Sequence, residues 1–259
     1  LAARGGASVS LILLVCAGGA LGAGGANALN HFLDRDIDEL MSRTKQRPVA
    51  SERISPVKAL AFGILLNIFS FVILAAYVNL LAAVLTLAAT LFYVFVYTNW
   101  LKRTTTQNIV IGGAAGSIPP VVGWVAVTGS LDLPALYLFA VVFFWTPPHF
   151  WALAMLIQKD YEAAKIPMLP VVAGREHTVQ AIFMYSLVLV AISLVFATTS
   201  AVGLVYLGSA AVLGAIFVAL AWNLKGDITT KRARTLYLFS LLYLALLFVA
   251  VIADSKLYY

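Results

Sequence analysis

Asn30, Asp34 and Asp38 stand four residues apart in an otherwise very apolar chain. On a continuous helix each step of four overshoots a full turn by about 40°, so the three side chains share one face and Asp36 points away. A face of oxygens suits a hard divalent cation. Arg43, Lys45 and Arg47 follow in the same charged stretch, which ends at Pro48. Carboxylates beside cations are what a Mg²⁺-diphosphate needs, because the metal takes oxygens from both protein and phosphate. A salt-bridged loop at a membrane surface explains the same residues, and spacing alone favours that plainer account.

Other segments bear on the choice. Gln158-Lys159-Asp160-Tyr161-Glu162 is a second acidic site, so Asp160 could approach the same diphosphate from across a bundle. Two acidic sites on one side, each beside basic residues, tip the balance toward a metal-diphosphate site. Lys102 and Arg103 could hold a diphosphate, Arg as a bidentate fork and Lys as a point charge, or could simply anchor a helix end. His149 follows Pro147 and Pro148 in a run of aromatic residues. A histidine and broken backbone pairing are costly in lipid, which makes His149 a functional candidate, with a hydrogen-bonded interior histidine equally favoured. The aromatics around it could line an apolar pocket and stabilise a developing cation. His31 reads as a headgroup-boundary residue, and His177 has no evident role.

These residues need elements to position them. The chain is 62% hydrophobic and 11% charged, with a mean hydropathy of +0.96, far from the roughly 25% charge of a soluble domain. It reads as an all-α, polytopic transmembrane bundle in a lipid bilayer. The net charge of +6 fits basic membrane loops, and nothing points to nucleic acid. At about 20 apolar residues per span, eight spans are expected at 10–33, 57–77, 80–98, 109–128, 134–156, 179–199, 202–222 and 235–253. Of the 17 lysines and arginines, all but Arg4 and Lys256 fall in or beside alternate loops, 34–56, 99–108, 157–178 and 223–234. The positive-inside rule puts those loops on the cytoplasmic or matrix side and both termini outside. Asp34 and Asp160 then lie on the same membrane side. Gly18 and Gly22, and Gly112 and Gly116, have the small-xxx-small spacing of close helix contacts. The single Cys16 can form no intrachain disulfide.

The pattern Asn30-xxx-Asp34-xxx-Asp38, followed by Arg43-Thr44-Lys45-Gln46-Arg47-Pro48, resembles the first aspartate motif of the intramembrane prenyltransferases, the superfamily of 4-hydroxybenzoate polyprenyltransferase. Lys102-Arg103-Thr104-Thr105 through Asn108 to Gly113 with Pro119-Pro120, Thr146-Pro147-Pro148-His149-Phe150-Trp151, and Asp160-Tyr161 with Pro167-Met168-Leu169-Pro170 are similar to its protohaem IX farnesyltransferase (haem O synthase) branch. The resemblance runs from about residue 20 to 175. It implies a single prenyltransferase domain over 1–259, with nine helices and a cytoplasmic N-terminus. Eight helices and an initial Leu1 therefore imply that the first helix is missing from this sequence. Two positions depart from the pattern: Ala164 stands where many relatives carry a second aspartate, and Lys165 where a small or polar residue is usual.

The resemblance implies farnesyl transfer from farnesyl diphosphate to a vinyl group of haem B, with addition of water. Mg²⁺ would be held by Asn30, Asp34 and Asp38, joined by Asp160. Arg43, Lys45, Arg47, Lys102, Arg103 and Lys159 would stabilise departing diphosphate, and Asn108, His149 and Tyr161 would contact substrate. Implied partners are downstream haem-modifying or oxidase-assembly proteins, and the setting is a bacterial or archaeal plasma membrane or the mitochondrial inner membrane. A prenyltransferase for a quinone precursor or chlorophyllide would share the acidic motif without the Thr146–Trp151 and Pro167–Pro170 signatures. A transporter would more typically place acidic residues near the bilayer midplane, whereas here they lie in or near loops. A purely structural subunit has no reason to gather two acidic sites on one face.

Overall fold

The computed structural model describes residues 7–257, with side chains described to residue 254. Among them, eight helical segments are long and apolar enough to cross a membrane. The first, α1 (Val9–Leu33), begins where the Ser8 hydroxyl accepts from the Leu11 N–H at 3.1 Å. It meets the short α2 (Arg35–Leu40) at Asp34, a single turn residue. The helical pattern persists across this join, since Asp34 N–H donates to Asn30 O at 2.8 Å and Asp38 N–H to Asp34 O at 2.7 Å.

Pro56 opens α3 (Pro56–Tyr77), at a position where a proline's missing N–H costs nothing. Asn79 then caps α4 (Leu80–Leu91), accepting from Ala82 N–H at 2.8 Å, and donates to Val125 O at 2.9 Å. This helix continues as a π-helical stretch, Phe92–Leu101, and a final turn, α5 (Lys102–Thr104). The expected end at 98 is thus corrected. Lys102 and Arg103 are helical, because apolarity stops at the membrane boundary while hydrogen bonding does not, and basic residues suit a helix C-terminus. The next span is two pieces, α6 (Asn108–Gly116) and α7 (Ile118–Thr128), joined at Ser117, whose hydroxyl donates to Gly113 O at 2.8 Å.

The chain then forms α8 (Leu133–Leu156), which carries Pro147 and Pro148 inside it, the short α9 (Gln158–Ala163) and α10 (Leu169–Val172), and the long α11 (Gly174–Phe196), α12 (Leu204–Gly226) and α13 (Thr230–Leu257). The last three depart from the expected bounds by up to five residues, mainly because charged terminal turns stay helical.

Two packing features position the rest. Gly18 and Gly22 let α1 lie on α3: a Cβ on Gly18 would sit 2.6 Å from Leu74 Cδ2, and Ser70 donates to Gly18 O at 2.7 Å. Gly116 makes no such contact, since nothing lies within 4 Å of where its Cβ would be. At the opposite membrane face from the basic loops, buried Asp254 of α13 accepts from Gly203, Val205 and Tyr206 N–H at 2.6, 3.2 and 2.8 Å, capping the start of α12.

Candidate functional site

The join of α1 and α2 presents Asn30, Asp34 and Asp38 together, with only 4%, 0% and 1% of their surfaces exposed. Carboxylates this deep must be compensated, because an unpaired buried charge is very costly. Asp34 accepts from Asn30 Nδ2 at 2.7 Å and is bonded to Lys102 Nζ, with Arg103 Nη2 at 3.4 Å. Asp38 takes Arg47 Nη1 at 3.0 and 2.9 Å on its two oxygens. Arg47 also reaches Asn30 Oδ1 at 3.5 Å, and Asn30 donates to Thr98 at 3.3 Å. The structure therefore brings Asn30, Asp34, Asp38, Arg47, Lys102 and Arg103 into one network. Asp36 faces outward, bound by Arg103 at 2.7 and 2.8 Å, and that hydrogen bond holds its carboxyl below the ordinary aspartate range.

The second acidic motif approaches from the other half of the bundle. Ser42 Oγ donates to both oxygens of Asp160 at 2.8 and 2.9 Å, and Arg43 N–H reaches Asp160 at 3.4 Å. Asp160 thus meets the loop after α2 rather than Asp34 or Asp38 directly. Tyr161 is half-buried; burial raises its phenol, and the charges of Arg43 and Arg47 oppose that rise. Its chain neighbour Asp160, held by Ser42 and the Arg43 N–H, brings Tyr161 to the basic loop. Asn108 donates to Thr105 O at 2.7 Å and Pro167 O at 3.4 Å, tying the Lys102 segment to the Pro167 segment, while its buried Oδ1 lacks a hydrogen-bond partner. Lys45 and Lys159 are exposed. Lys165 takes a left-handed backbone with φ of 53°, a conformation that costs an L side chain steric strain.

His149 lies elsewhere. It stacks on Trp145 and Tyr237 with centroids 4.2 and 4.9 Å away, and its Nδ1 pairs with Ser240 Oγ at 2.7 Å. That is the hydrogen-bonded interior histidine weighed from the sequence. Two polar residues escaped the sequence reading. Thr98 stands one turn before Lys102 on the same face, a usable signal, whereas nothing in the sequence marks Ser42 as the partner of a residue more than a hundred positions away.

Below the network, an apolar cavity of about 640 Å³ runs between α1, the third span, which contains α4, and the α6–α7 span, past Asn27, Tyr93, Gly19, Gly116 and Pro119. Among the described residues no three His, Cys, Asp or Glu side chains form a group able to hold a metal alone. The donor set of Asn30, Asp34 and Asp38 is nonetheless hard oxygen and fits Mg²⁺ provided that a substrate supplies further oxygens.

The chain is similar to several known proteins. A protein named protoheme IX farnesyltransferase from Roseiflexus sp. (strain RS-1) is 53% identical over 250 residues, 96% of this chain and 47% of its own length. One of the same name from Gloeobacter violaceus is 51% identical over 98% of this chain and 84% of its own length. The chain thus spans about half of the first relative and most of the second. Among solved structures, a digeranylgeranylglyceryl phosphate synthase matches with TM-score 0.79 at 19% identity, over 96% of this chain and 87% of its own. A UbiA homologue from Archaeoglobus fulgidus bound to GPP and Mg²⁺ matches with TM-score 0.62 at 16% identity, over 95% and 89%. At such identities the two structures speak to the fold alone. The model of the UbiA prenyltransferase family matches residues 1–253, and with relatives above 50% identical over nearly the whole sequence, this chain belongs to that family.

Proposed function

We propose that the protein transfers a farnesyl group from farnesyl diphosphate to a vinyl group of haem B, with addition of water, to give haem O and diphosphate. The observation that carries the reading is the buried Asn30–Asp34–Asp38 face enclosed by Lys102, Arg103 and Arg47 at the head of an apolar cavity. The relatives named for this reaction support it, and the Mg²⁺ found with a homologue supports a metal here.

Asn30, Asp34 and Asp38 would hold Mg²⁺, with Asp160 joining from the opposite motif, and the bound ion would supply positive charge to neutralise the diphosphate as the allylic C–O bond weakens. Lys102, Arg103 and Arg47 stabilise the electron pair that leaves with the diphosphate. Arg43, Lys45 and Lys159, on the rim, draw the anionic substrate toward the site. The apolar cavity takes the isoprenoid tail and keeps water from the allylic cation. The vinyl π pair then forms the new C–C bond, water bonds to the carbon left cationic, and its proton leaves to solvent. The basic loops lie on the cytoplasmic or matrix side, where diphosphate substrates are available.

Purified protein supplied with farnesyl diphosphate, Mg²⁺ and haem B should yield haem O by mass. An active-site-intact preparation that instead prenylates an aromatic acid, and leaves haem unchanged, would move the protein to the quinone branch.

A further inference from the structure

A second cavity, of about 560 Å³, opens on the outer side of α1, between α3 and the third span, which contains α4. Thr90 lines both cavities, so it and α1 form the wall between them. One bank is Ile64, Ile68 and Val72 of α3, the other Leu91 and Phe95, and all five are exposed on the surface that faces lipid. The cavity is thus a groove cut into the membrane-facing side, separate from the acidic cluster.

Its dimensions decide what fits. From Leu60 to Val72 the groove follows α3 for about 18 Å at 1.5 Å per residue. One leaflet of hydrocarbon is about 15 Å deep. A groove of this length and volume matches a single hydrocarbon chain of that leaflet.

The end toward the basic loops supplies a charge. Arg35 is exposed there, its guanidinium 5.0 Å from the centroid of Phe32, a groove residue, and its Nη1 donates to Phe32 O at 2.6 Å. Arg35 makes no ion pair among the described residues. Its neighbours are committed, Arg103 to Asp36 and Lys102 to Asp34. Exposed Asn99 and Trp100 flank the same end, at the level where aromatic side chains favour the membrane interface.

We propose that this groove binds one acyl chain of an anionic glycerophospholipid from the leaflet on the basic-loop side, with the headgroup phosphate on Arg35. The lipid lies against the outer wall of α1, whose end carries Asn30 and Asp34 on the inside. The site is independent of the reaction proposed above.

Native mass spectrometry of the purified protein with phosphatidylglycerol and phosphatidylcholine of matched chains tests it. One phosphatidylglycerol should be retained about fivefold more strongly than phosphatidylcholine, the gain expected of one arginine near the surface. Arg35→Gln should erase that preference and Arg234→Gln, an exposed cation elsewhere, should not. Leu91→Trp, at a lipid-facing position, should fill the groove and lower retention of both lipids. Equal retention of the two lipids by the unaltered protein, or a preference that survives Arg35→Gln, overturns the proposal. Displacement of the bound lipid by farnesyl diphosphate, one for one, overturns it too by giving the groove to the substrate's tail.

Discussion

Two buried acidic sites at opposite membrane faces solve the same problem in different ways. Asp34 and Asp38 are compensated by side-chain cations and an amide, Lys102, Arg103, Arg47 and Asn30. Asp254, equally buried, is compensated by three backbone N–H groups at the start of α12. Backbone donors are fixed by the helix and cannot be lent elsewhere. Long cationic side chains can swing from carboxylate to phosphate while the carboxylates turn to a metal, so the first arrangement suits chemistry and the second suits architecture. The same residue type thus reads as catalytic or structural according to what satisfies it.

Removal of either carboxylate of the first pair should break the comparison most visibly. Asp34→Ala or Asp38→Ala should lower haem O formation on the order of 10³-fold, with haem binding and the folded, monodisperse state retained. Near-normal turnover in both would reject the metal assignment. Lys102→Met is next, with turnover down about a hundredfold for the loss of one charge-stabilising donor, read together with a weaker affinity for inorganic diphosphate.

Asp254→Ala should do the reverse. Three N–H groups lose their acceptor, which costs about 3 kcal/mol or more of stability, seen as a lower melting temperature in detergent with turnover per folded molecule unchanged. If Asp254→Ala instead abolished turnover at full stability, the division between the two sites would fail. Ser42→Ala is a finer probe. One hydrogen bond to a charged group is worth about 1.5 kcal/mol, so the apparent affinity for diphosphate should weaken by up to about tenfold as Asp160 loses its positioner.

The smallest expected effect is on pH. The Arg103 hydrogen bond depresses Asp36 in the folded protein, so its contribution is fully present above the ordinary aspartate value of 3.8 and is lost only as pH falls through the lower folded value. The pair is largely exposed, so the contribution is small. Asp36→Asn should remove that acid limb from a stability profile measured between neutral pH and pH 3 or below, with turnover near pH 7 little changed.

Much of this was legible in the chain. The spacing of Asn30, Asp34 and Asp38 gave a shared face because helix periodicity alone sets it, and the outward Asp36 followed from the same angle. Apolar run lengths gave the eight spans, since bilayer thickness fixes how many residues must be apolar. Boundaries near Thr104, Gly174 and Thr230 were not legible, because a helix continues past the lipid wherever its hydrogen bonds do.

What only the tertiary structure decided concerns partners far apart in sequence. Which cation meets which carboxylate, Lys102 with Asp34 and Arg47 with Asp38, depends on how α1 packs against the third span and on how the loop after α2 folds back. Ser42 and Asp160 come together across the bundle, His149 turns into the core onto Ser240, and Asp254 finds the start of α12. Local periodicity fixes the direction in which a side chain leaves its own helix. What it meets there is set by packing between helices, which no short stretch of sequence encodes.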